Sequence, residues 1–157
     1  NGGRYWAGDN ISQYIEEGER DELINELTIK FDGVLNSLVI DTDTDPNSRD
    51  TARRLAKMYI NELMSGRYDP MPNATAFPNH TEDRYDGMLV VRSELTSMCS
   101  HHHQTIKGVV HIGYVVGDNG RVIGLSKLNR IVELFGRRGA IQEQLTSAIH
   151  NAVDNQL

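Results

Sequence analysis

A short segment from Met98 to His103 carries the most reactive set of side chains in this chain. It holds the only cysteine and three of the six histidines. Cys99 and His102 have the C-x-x-H spacing of two ligands to one metal ion, and a thiolate with an imidazole points first to Zn²⁺. Positions 99 and 102 differ by an odd number, so their side chains would face opposite sides of a flat strand. A shared ion therefore requires a turn or bulge here. On spacing alone, a free cysteine beside surface histidines is the alternative.

A second set of candidates opens a predicted helix at Ser126-Lys127-x-x-Arg130. A helix N-terminus offers unpaired N–H groups and the positive end of the helix dipole, which suits a chain of phosphates. An ordinary serine cap followed by basic surface residues explains the pattern equally well. Arg54 and Lys57 lie three residues apart and therefore share a helix face. From spacing alone, a solvated basic edge is the favoured interpretation of that pair.

Gln142 and Glu143 begin the last predicted helix. A carboxylate that accepts two N–H bonds can read the edge of a guanine, because only the right base offers both donors. A first-turn glutamate is also favoured simply by the helix dipole. The residues alone favour this second explanation.

Periodicity and turn residues predict mostly helices in the first part of the chain. Asp9 or Asn10 is expected to cap a short helix that ends near Gly18. A longer helix follows on the repeat Leu23, Leu27, Val34, Leu35 and Leu38. The next helix is expected to be capped by Asn47 or Ser48, to run to Met64 with Leu55, Tyr59 and Leu63 as its apolar stripe, and to be closed by Gly66.

The second part of the chain is predicted to contain a hairpin and two helices. An irregular loop, 67–86, leads to strands at about 88–106 and 109–116, joined by a tight turn at Lys107-Gly108. His103 would then be a strand residue. The hairpin is expected to end in the turn 117–120. Ser126 is expected to cap a helix with Leu128, Ile131, Leu134 and Phe135 inside, and the final helix repeats Ile141, Leu145, Ile149 and Val153.

The bulk composition is that of an ordinary folded protein. The 157 residues are 38% hydrophobic and 24% charged, which is enough for one domain with a real core. The net charge of −6 argues against a nucleic-acid partner held by bulk electrostatics. No apolar run is long enough to span a membrane. A single cysteine excludes an internal disulfide and predicts a cytoplasmic location.

Four segments in the same order resemble the GTP cyclohydrolase I family. Leu95–Gly108 resembles the family's zinc segment, and Val122–Val132 and Ile141–Thr146 resemble two later motifs. Upstream, Asp50–Tyr59 resembles a helix of the Asp/Glu-Thr-Pro-x-Arg-Val-Ala-Lys-Met type. The resemblance runs from about Asp45 to the end of the chain, with a fainter match in the preceding helix.

The resemblance implies a zinc-dependent reaction on GTP. Cys99 and His102 match zinc ligands, and His101 matches the histidine that handles protons at the purine imidazole ring. Ser126 matches a hydroxyl near the ribose. Water would open the ring at C8, formate would leave, and the opened sugar would reclose to give 7,8-dihydroneopterin triphosphate.

The resemblance also implies how GTP is held. Glu143, helped by Gln142, matches the residue that reads guanine. The triphosphate would lie among the following basic side chains: Lys127, Arg130, Arg54 and Lys57.

The implied fold is an α+β tunnelling fold, an antiparallel hairpin with two antiparallel helices and an N-terminal helical extension. We expect an N-terminal arm with helices over 1–66, a loop over 67–87, and a catalytic unit over 88–157. Subunits of this fold join their sheets into an oligomeric β-barrel. The implied assembly is a homo-oligomer, specifically a decamer of two stacked pentamers.

Three departures from the family pattern bear on function. Ser100 stands where the family has a glutamate, and Ala52 where it has a proline. The family's third zinc ligand is a second cysteine on a later strand, and this chain reaches Leu157 before such a strand. We therefore expect either a fragment of a longer enzyme or a degenerate relative. The alternatives are a non-catalytic purine- or pterin-binding protein, and a related pterin or deazaguanine enzyme.

Overall fold

The computed structural model describes residues 3–73, 76–79, 85–116 and 120–157. Within these ranges the chain is a mixed α and β structure with antiparallel sheets. The helices are α1 (Glu19–Ser37), α2 (Thr51–Met58), α3 (Ser65–Tyr68), α4 (Leu125–Gly136) and α5 (Gln142–Asp154). The strands are β1 (Ala76–Pro78), β2 (Met88–Met98), β3 (Thr105–Val115) and β4 (Arg121–Ile123). A 3₁₀ turn covers Ser12–Tyr14, and a π-helical turn covers Tyr59–Leu63.

The first two long helices pack on each other around a small core of their own. Ile24 of α1 and Ala56 of α2 are buried there together with Ile60, which is 2% exposed. The apolar stripe of α2 is therefore rotated from the prediction, because Ala52 and Ala56 are enclosed while the predicted Leu55 is only half-buried. On α1, the predicted Leu35 is buried and the predicted Leu23 and Leu27 are half-buried, whereas Val34 and Leu38 are exposed.

The predicted ends of these helices are wrong in three places. Gly18 adopts a left-handed φ of 89° and precedes α1, so it starts a helix and does not end one. The expected short helix before it is only the 3₁₀ turn. The second helix begins at Thr51, because the Asp45 carboxylate holds the preceding residues in a turn. It accepts hydrogen bonds from the Ser48 hydroxyl at 2.5 Å and the Asn47 N–H at 2.9 Å, and these bonds lower the pKa of Asp45.

Gly66 is the third corrected end. It lies inside α3, and a Cβ atom added to it would stand 1.9 Å from the Leu134 carbonyl oxygen of α4. This glycine is needed because two backbones approach closely, which is a different use from closing a helix. The close approach fixes the N-terminal helices against α4.

The strands β2 and β3 form a hairpin whose turn lies earlier than predicted. Met88 pairs with Val115 and Met98 pairs with Thr105, so the connecting loop is 99–104. Lys107 and Gly108, the predicted turn, lie within β3 opposite Thr96 and Leu95. The register follows burial, since side chains alternate between faces and a shift would turn the buried set outward.

A second, short antiparallel strand pair lies beside the hairpin in the chain and was not predicted from the sequence. β1, which lies inside the stretch predicted to be an irregular loop, pairs antiparallel with β4, with Ala76 opposite Ile123. Short edge pairs of this kind carry no periodic signal. Of the turn expected at 117–120, residues 117–119 lie outside the described residues.

The last two helices cover the main core. The predicted inward residues Leu128, Ile131 and Leu134 of α4 are buried, and Phe135 is half-buried. The repeat Leu145, Ile149 and Val153 of α5 is buried as well, with Ile141 half-buried before it. These predictions are confirmed because a periodic apolar stripe has to be covered. Gly124 occupies the N-cap of α4, so Ser126 is a residue of the helix and not its cap.

No helix among the described residues combines the length and the apolar character needed to cross a bilayer.

Candidate functional site

The loop 99–104 between β2 and β3 carries the cysteine and the neighbouring histidines. Its backbone is closed by two hydrogen bonds, from the Cys99 N–H to the Gln104 carbonyl and from the His103 N–H to the Cys99 carbonyl, both 2.9 Å. Cys99 is half-buried, whereas His101 and His102 are exposed. The chain therefore turns between the two predicted zinc ligands, which is the conformation that binding one shared ion would require.

The donor types in this loop fit zinc, but the described residues supply only part of a site. Sulfur from Cys99 and nitrogen from His102 are both ordinary zinc donors. Among the described residues, no group of three or more His, Cys, Asp or Glu side chains is arranged to hold a metal ion. A catalytic zinc usually keeps three protein ligands and one open position. Cys99 and His102 alone would therefore not complete such a centre.

His103 was expected in a strand and is instead a loop residue in contact with α2's continuation. Its φ is 54°, in the left-handed region. Its Nδ1 lies 3.4 Å from the Tyr59 hydroxyl. The sequence did not predict this contact. Its one relevant signal is that histidine adopts a positive φ more readily than most residues, which favours a loop at this position.

The start of α5 lies next to this loop. The Ala140 N–H donates to the Met98 carbonyl at 3.2 Å, directly before Cys99. Glu143 then lines a cavity of about 720 Å³ together with Ser100, Trp6 and other residues. The structure therefore brings the predicted base reader and the predicted metal loop to the same end of the hairpin.

Gln142 and Glu143 point to different spaces. Gln142 lines a second cavity of about 470 Å³ between α5 and β3, whereas Glu143 lines the one beside Ser100. Adjacent residues on a helix do not share a face, which explains the split. Both side chains are exposed within this chain.

The connection between α4 and α5 is held by buried polar contacts. The Arg138 Nε donates to the Gly66 carbonyl at 3.0 Å, and the guanidinium carbon of Arg138 lies 3.9 Å from the centre of the Phe135 ring. Burial, helped by the nearby charge of Arg67, lowers the pKa of Arg138 to about 10. At neutral pH the side chain stays charged, and its hydrogen bond to Gly66 holds the segment that leads into α5 against α3.

The residues predicted to bind the triphosphate lie at the end of the hairpin opposite the loop 99–104. Ser126 and Arg130 are exposed and Lys127 is half-buried at the start of α4. Just before them, the Ile123 N–H donates to the Tyr114 hydroxyl at 3.0 Å.

The length of α4 separates these residues from the metal loop. Its last residue, Gly136, packs against Leu95 and Thr96, close to Cys99. Between Leu125 and Gly136 the helix rises by about 16 Å. One chain therefore does not bring the phosphate residues to its own Cys99 loop.

Arg54 and Lys57 are exposed on α2. The Arg54 Nη2 donates to the Asn47 carbonyl at 2.7 Å and to the Thr51 hydroxyl at 2.9 Å. This basic pair faces outward and the structure does not join it to Lys127 or Arg130.

Comparisons with known proteins agree with the sequence resemblance. The family model described as GTP cyclohydrolase I matches residues 29–157, which includes the C-terminal part of α1 as well as the predicted motifs. A GTP cyclohydrolase 1 from Aeromonas salmonicida (strain A449) is 43% identical over 126 residues, covering 79% of this chain and 56% of the relative. One from Yersinia pestis is 44% identical over 116 residues, covering 73% of this chain and 51% of the relative.

This chain spans about half the length of the curated relatives it matches. The match to the family model nevertheless extends over most of the chain, through the loop 99–104 and the start of α5. On that extent of similarity, this chain belongs to the GTP cyclohydrolase I family.

Proposed function

We propose that this chain contributes to a GTP cyclohydrolase I active site, which opens the guanine imidazole ring of GTP by hydrolysis to give 7,8-dihydroneopterin triphosphate and formate. The observation that carries the proposal is the meeting of two groups at one end of the hairpin. The loop with Cys99, His101 and His102 lies beside the start of α5 with Glu143, joined by the hydrogen bond from Ala140 to Met98.

In this proposal Cys99 and His102 are two of the ligands that hold zinc. When bound, a zinc ion supplies Lewis acidity and makes a water molecule nucleophilic near neutral pH. His101 is exposed on the same loop, one residue from His102, and carries a proton to N7 of the purine. A histidine suits this step because its imidazole ring can both take up and give up a proton.

Glu143 binds the guanine edge by accepting hydrogen bonds from the ring N–H and the amino group. Its place in the first turn of α5 suits a carboxylate that accepts hydrogen bonds, since the helix dipole favours a negative charge there. Gln142, the predicted helper, lines the other cavity in this chain, so we assign the guanine edge to Glu143. Specificity follows because a base without both donors leaves the carboxylate unsatisfied.

The triphosphate is held by Lys127 and Arg130 at the start of α4, with Arg54 and Lys57 as further cations. Ser126 lies among them and assists the later rearrangement of the ribose. A helix start with two basic side chains suits an anion. Because α4 separates these phosphate-binding residues from the Cys99 loop of the same chain, they bind the triphosphate of a GTP molecule that lies at the Cys99 loop of a neighbouring chain.

The proposed active form is therefore a homo-oligomer, with a decamer of two stacked pentamers as the specific assembly. The hairpin β2–β3 is a two-stranded sheet. Two strands expose backbone donors and acceptors along both edges, and pairing with other chains into a barrel would satisfy them. Residues 88–157 form the proposed catalytic unit. Analytical ultracentrifugation tests this directly, and an active monomer would overturn the shared-site proposal.

The central experiment compares Glu143→Gln with Glu22→Gln. Both residues are exposed acids in the first turn of a helix, so both changes should cost about 0.3–1 kcal/mol of stability through the dipole. We expect Glu143→Gln alone to weaken GTP binding by tenfold or more, roughly the loss of one charge-assisted hydrogen bond. Isothermal titration with GTP and urea unfolding measure the two effects.

Formate release separates an enzyme from a binding protein. Protein supplied with zinc and GTP should release formate, and Glu143→Gln should abolish that release. Tight GTP binding that depends on Glu143 without any formate would favour the non-catalytic purine-binding alternative. Equal GTP affinity in the Glu143 and Glu22 variants would contradict the assignment of Glu143.

A further inference from the structure

The loop that carries the predicted zinc ligands contains a backbone conformation that costs energy. His103 has φ 54°, and among non-glycine residues of the described chain only Val39 shares a positive φ. A residue in the left-handed region persists when its surroundings over-determine it. The His103 N–H contributes one constraint, its 2.9 Å hydrogen bond to the Cys99 carbonyl.

The imidazole of His103 supplies a second constraint from outside the loop. Its ring centre lies 5.8 Å from that of Tyr59, with the planes at 43°, and its Nδ1 lies 3.4 Å from the Tyr59 hydroxyl. Tyr59 in turn packs against Phe31, with ring centres 5.2 Å apart. A row of three rings therefore connects α1, the residue after α2, and the loop. Pairs at these distances are attractive beyond their buried area.

The position of Tyr59 on its helix is itself unusual. Tyr59 begins the π-helical turn that follows α2, and Ile60 next to it is 2% exposed in the N-terminal core. π-helical turns are rare and occur frequently at functional sites. Because Ile60 is enclosed, the backbone at Tyr59 is held firmly, and the tyrosine ring presents a fixed surface to the loop.

We propose that His103 is a positioning residue that docks the loop 99–104 on Tyr59 and so orients the side chains of Cys99 and His102. Its ring contact sets the loop conformation, and it neither binds the metal nor touches substrate. The proposal rests on the proposed function only in taking this loop as the metal-binding one. The docking can be measured on the loop itself, so its failure is distinct from failure of the zinc assignment.

Cys99 provides a built-in reporter, because it is the only cysteine of the chain and is half-buried at the base of the loop. Its rate of alkylation by iodoacetamide follows how often the loop opens. We expect His103→Ala to raise that rate by roughly two- to tenfold, as loss of one aromatic pair implies. His103→Phe, which keeps a ring at this place, should restore a rate close to that of the unchanged protein. His111→Ala, an exposed histidine change on β3, serves as the matched control and should leave the rate unaltered.

A glycine variant separates the ring contact from the strained backbone. His103→Gly removes the cost of positive φ but also the ring, so docking predicts faster alkylation. If backbone strain alone governed the loop, alkylation would slow or stay the same. Tyr59→Phe keeps the ring pair and should change the rate less than His103→Ala.

Zinc content tests the competing role of His103 as a ligand. Docking predicts that His103→Phe retains as much zinc as the unchanged protein, because phenylalanine preserves the contact and cannot ligate. Loss of zinc in His103→Phe with normal alkylation would overturn the proposal in favour of a ligand. Alkylation that is equal in His103→Ala and in the unchanged protein would also overturn it.

Discussion

Replacing Gly66 by alanine should damage the contact that positions the start of α5. The added Cβ would lie 1.9 Å from the Leu134 carbonyl oxygen and 2.9 Å from that of Arg137. Both obstacles are backbone atoms, so no side chain can rotate away. The added Cβ reaches an ordinary contact distance, which begins near 3.4 Å, only if α3 and α4 move apart by more than about 1 Å.

The magnitude follows from the hydrogen bonds that such a movement would break. The Gly66 N–H donates to the Arg137 carbonyl at 2.8 Å, and the Gly66 carbonyl accepts from Arg138 at 3.0 Å and from Asn10 at 2.9 Å. At a net 0.5–1.5 kcal/mol each, losing these bonds costs roughly 1.5–4.5 kcal/mol. We therefore expect Gly66→Ala to lower the free energy of unfolding by about 3 kcal/mol.

Gly33 offers the matched control. It lies inside α1 with nothing within 4 Å of an added Cβ. Alanine there should raise stability by roughly 0.5–1 kcal/mol, because glycine is the poorer helix former. Urea unfolding of both variants gives effects of opposite sign. If Gly66→Ala were as stable as the unchanged protein, the close approach of α3 and α4 would be wrong.

Three further changes test the metal, the phosphates and the acidic turn. Cys99→Ala should remove bound zinc from the purified protein while the helical circular dichroism is kept, and full zinc occupancy in this variant would contradict the ligand assignment. Lys127→Ala and Arg130→Ala should each weaken the binding of GTP roughly tenfold more than the binding of guanosine. Lys107→Ala, an exposed control on β3, should change neither affinity. Equal losses of affinity for both ligands would contradict a phosphate role. The lowered pKa of Asp45 stabilises the fold at neutral pH, and this contribution is lost as pH falls through the folded-state pKa. Asp45→Asn should therefore lose stability at neutral pH and show a smaller further loss on acidification, as urea unfolding against pH would reveal.

The sequence alone determined the family to which this chain belongs, and it indicated the candidate residues for the chemistry. The spacing of Cys99 and His102 is local, so it indicated that one shared ion would require a turn or bulge there, although the strand pattern placed the hairpin turn at Lys107-Gly108. The apolar repeats of α4 and α5 were equally local, because a helix has to bury its stripe whatever lies against it. The family motifs add the identity of the candidates, among them His101 and Glu143.

Only the tertiary structure decided where these residues stand relative to one another. The hairpin turn lies at 99–104 and not at Lys107-Gly108, because register is set by which side chains the facing helices bury. The sequence predicts that Gly66 ends a helix, yet in the structure it is the residue where the backbones of α3 and α4 come into contact. The contact of His103 with Tyr59 joins residues 44 positions apart. Such contacts depend on how elements pack and leave no periodic trace in the chain, so local patterns of residue type could not predict them.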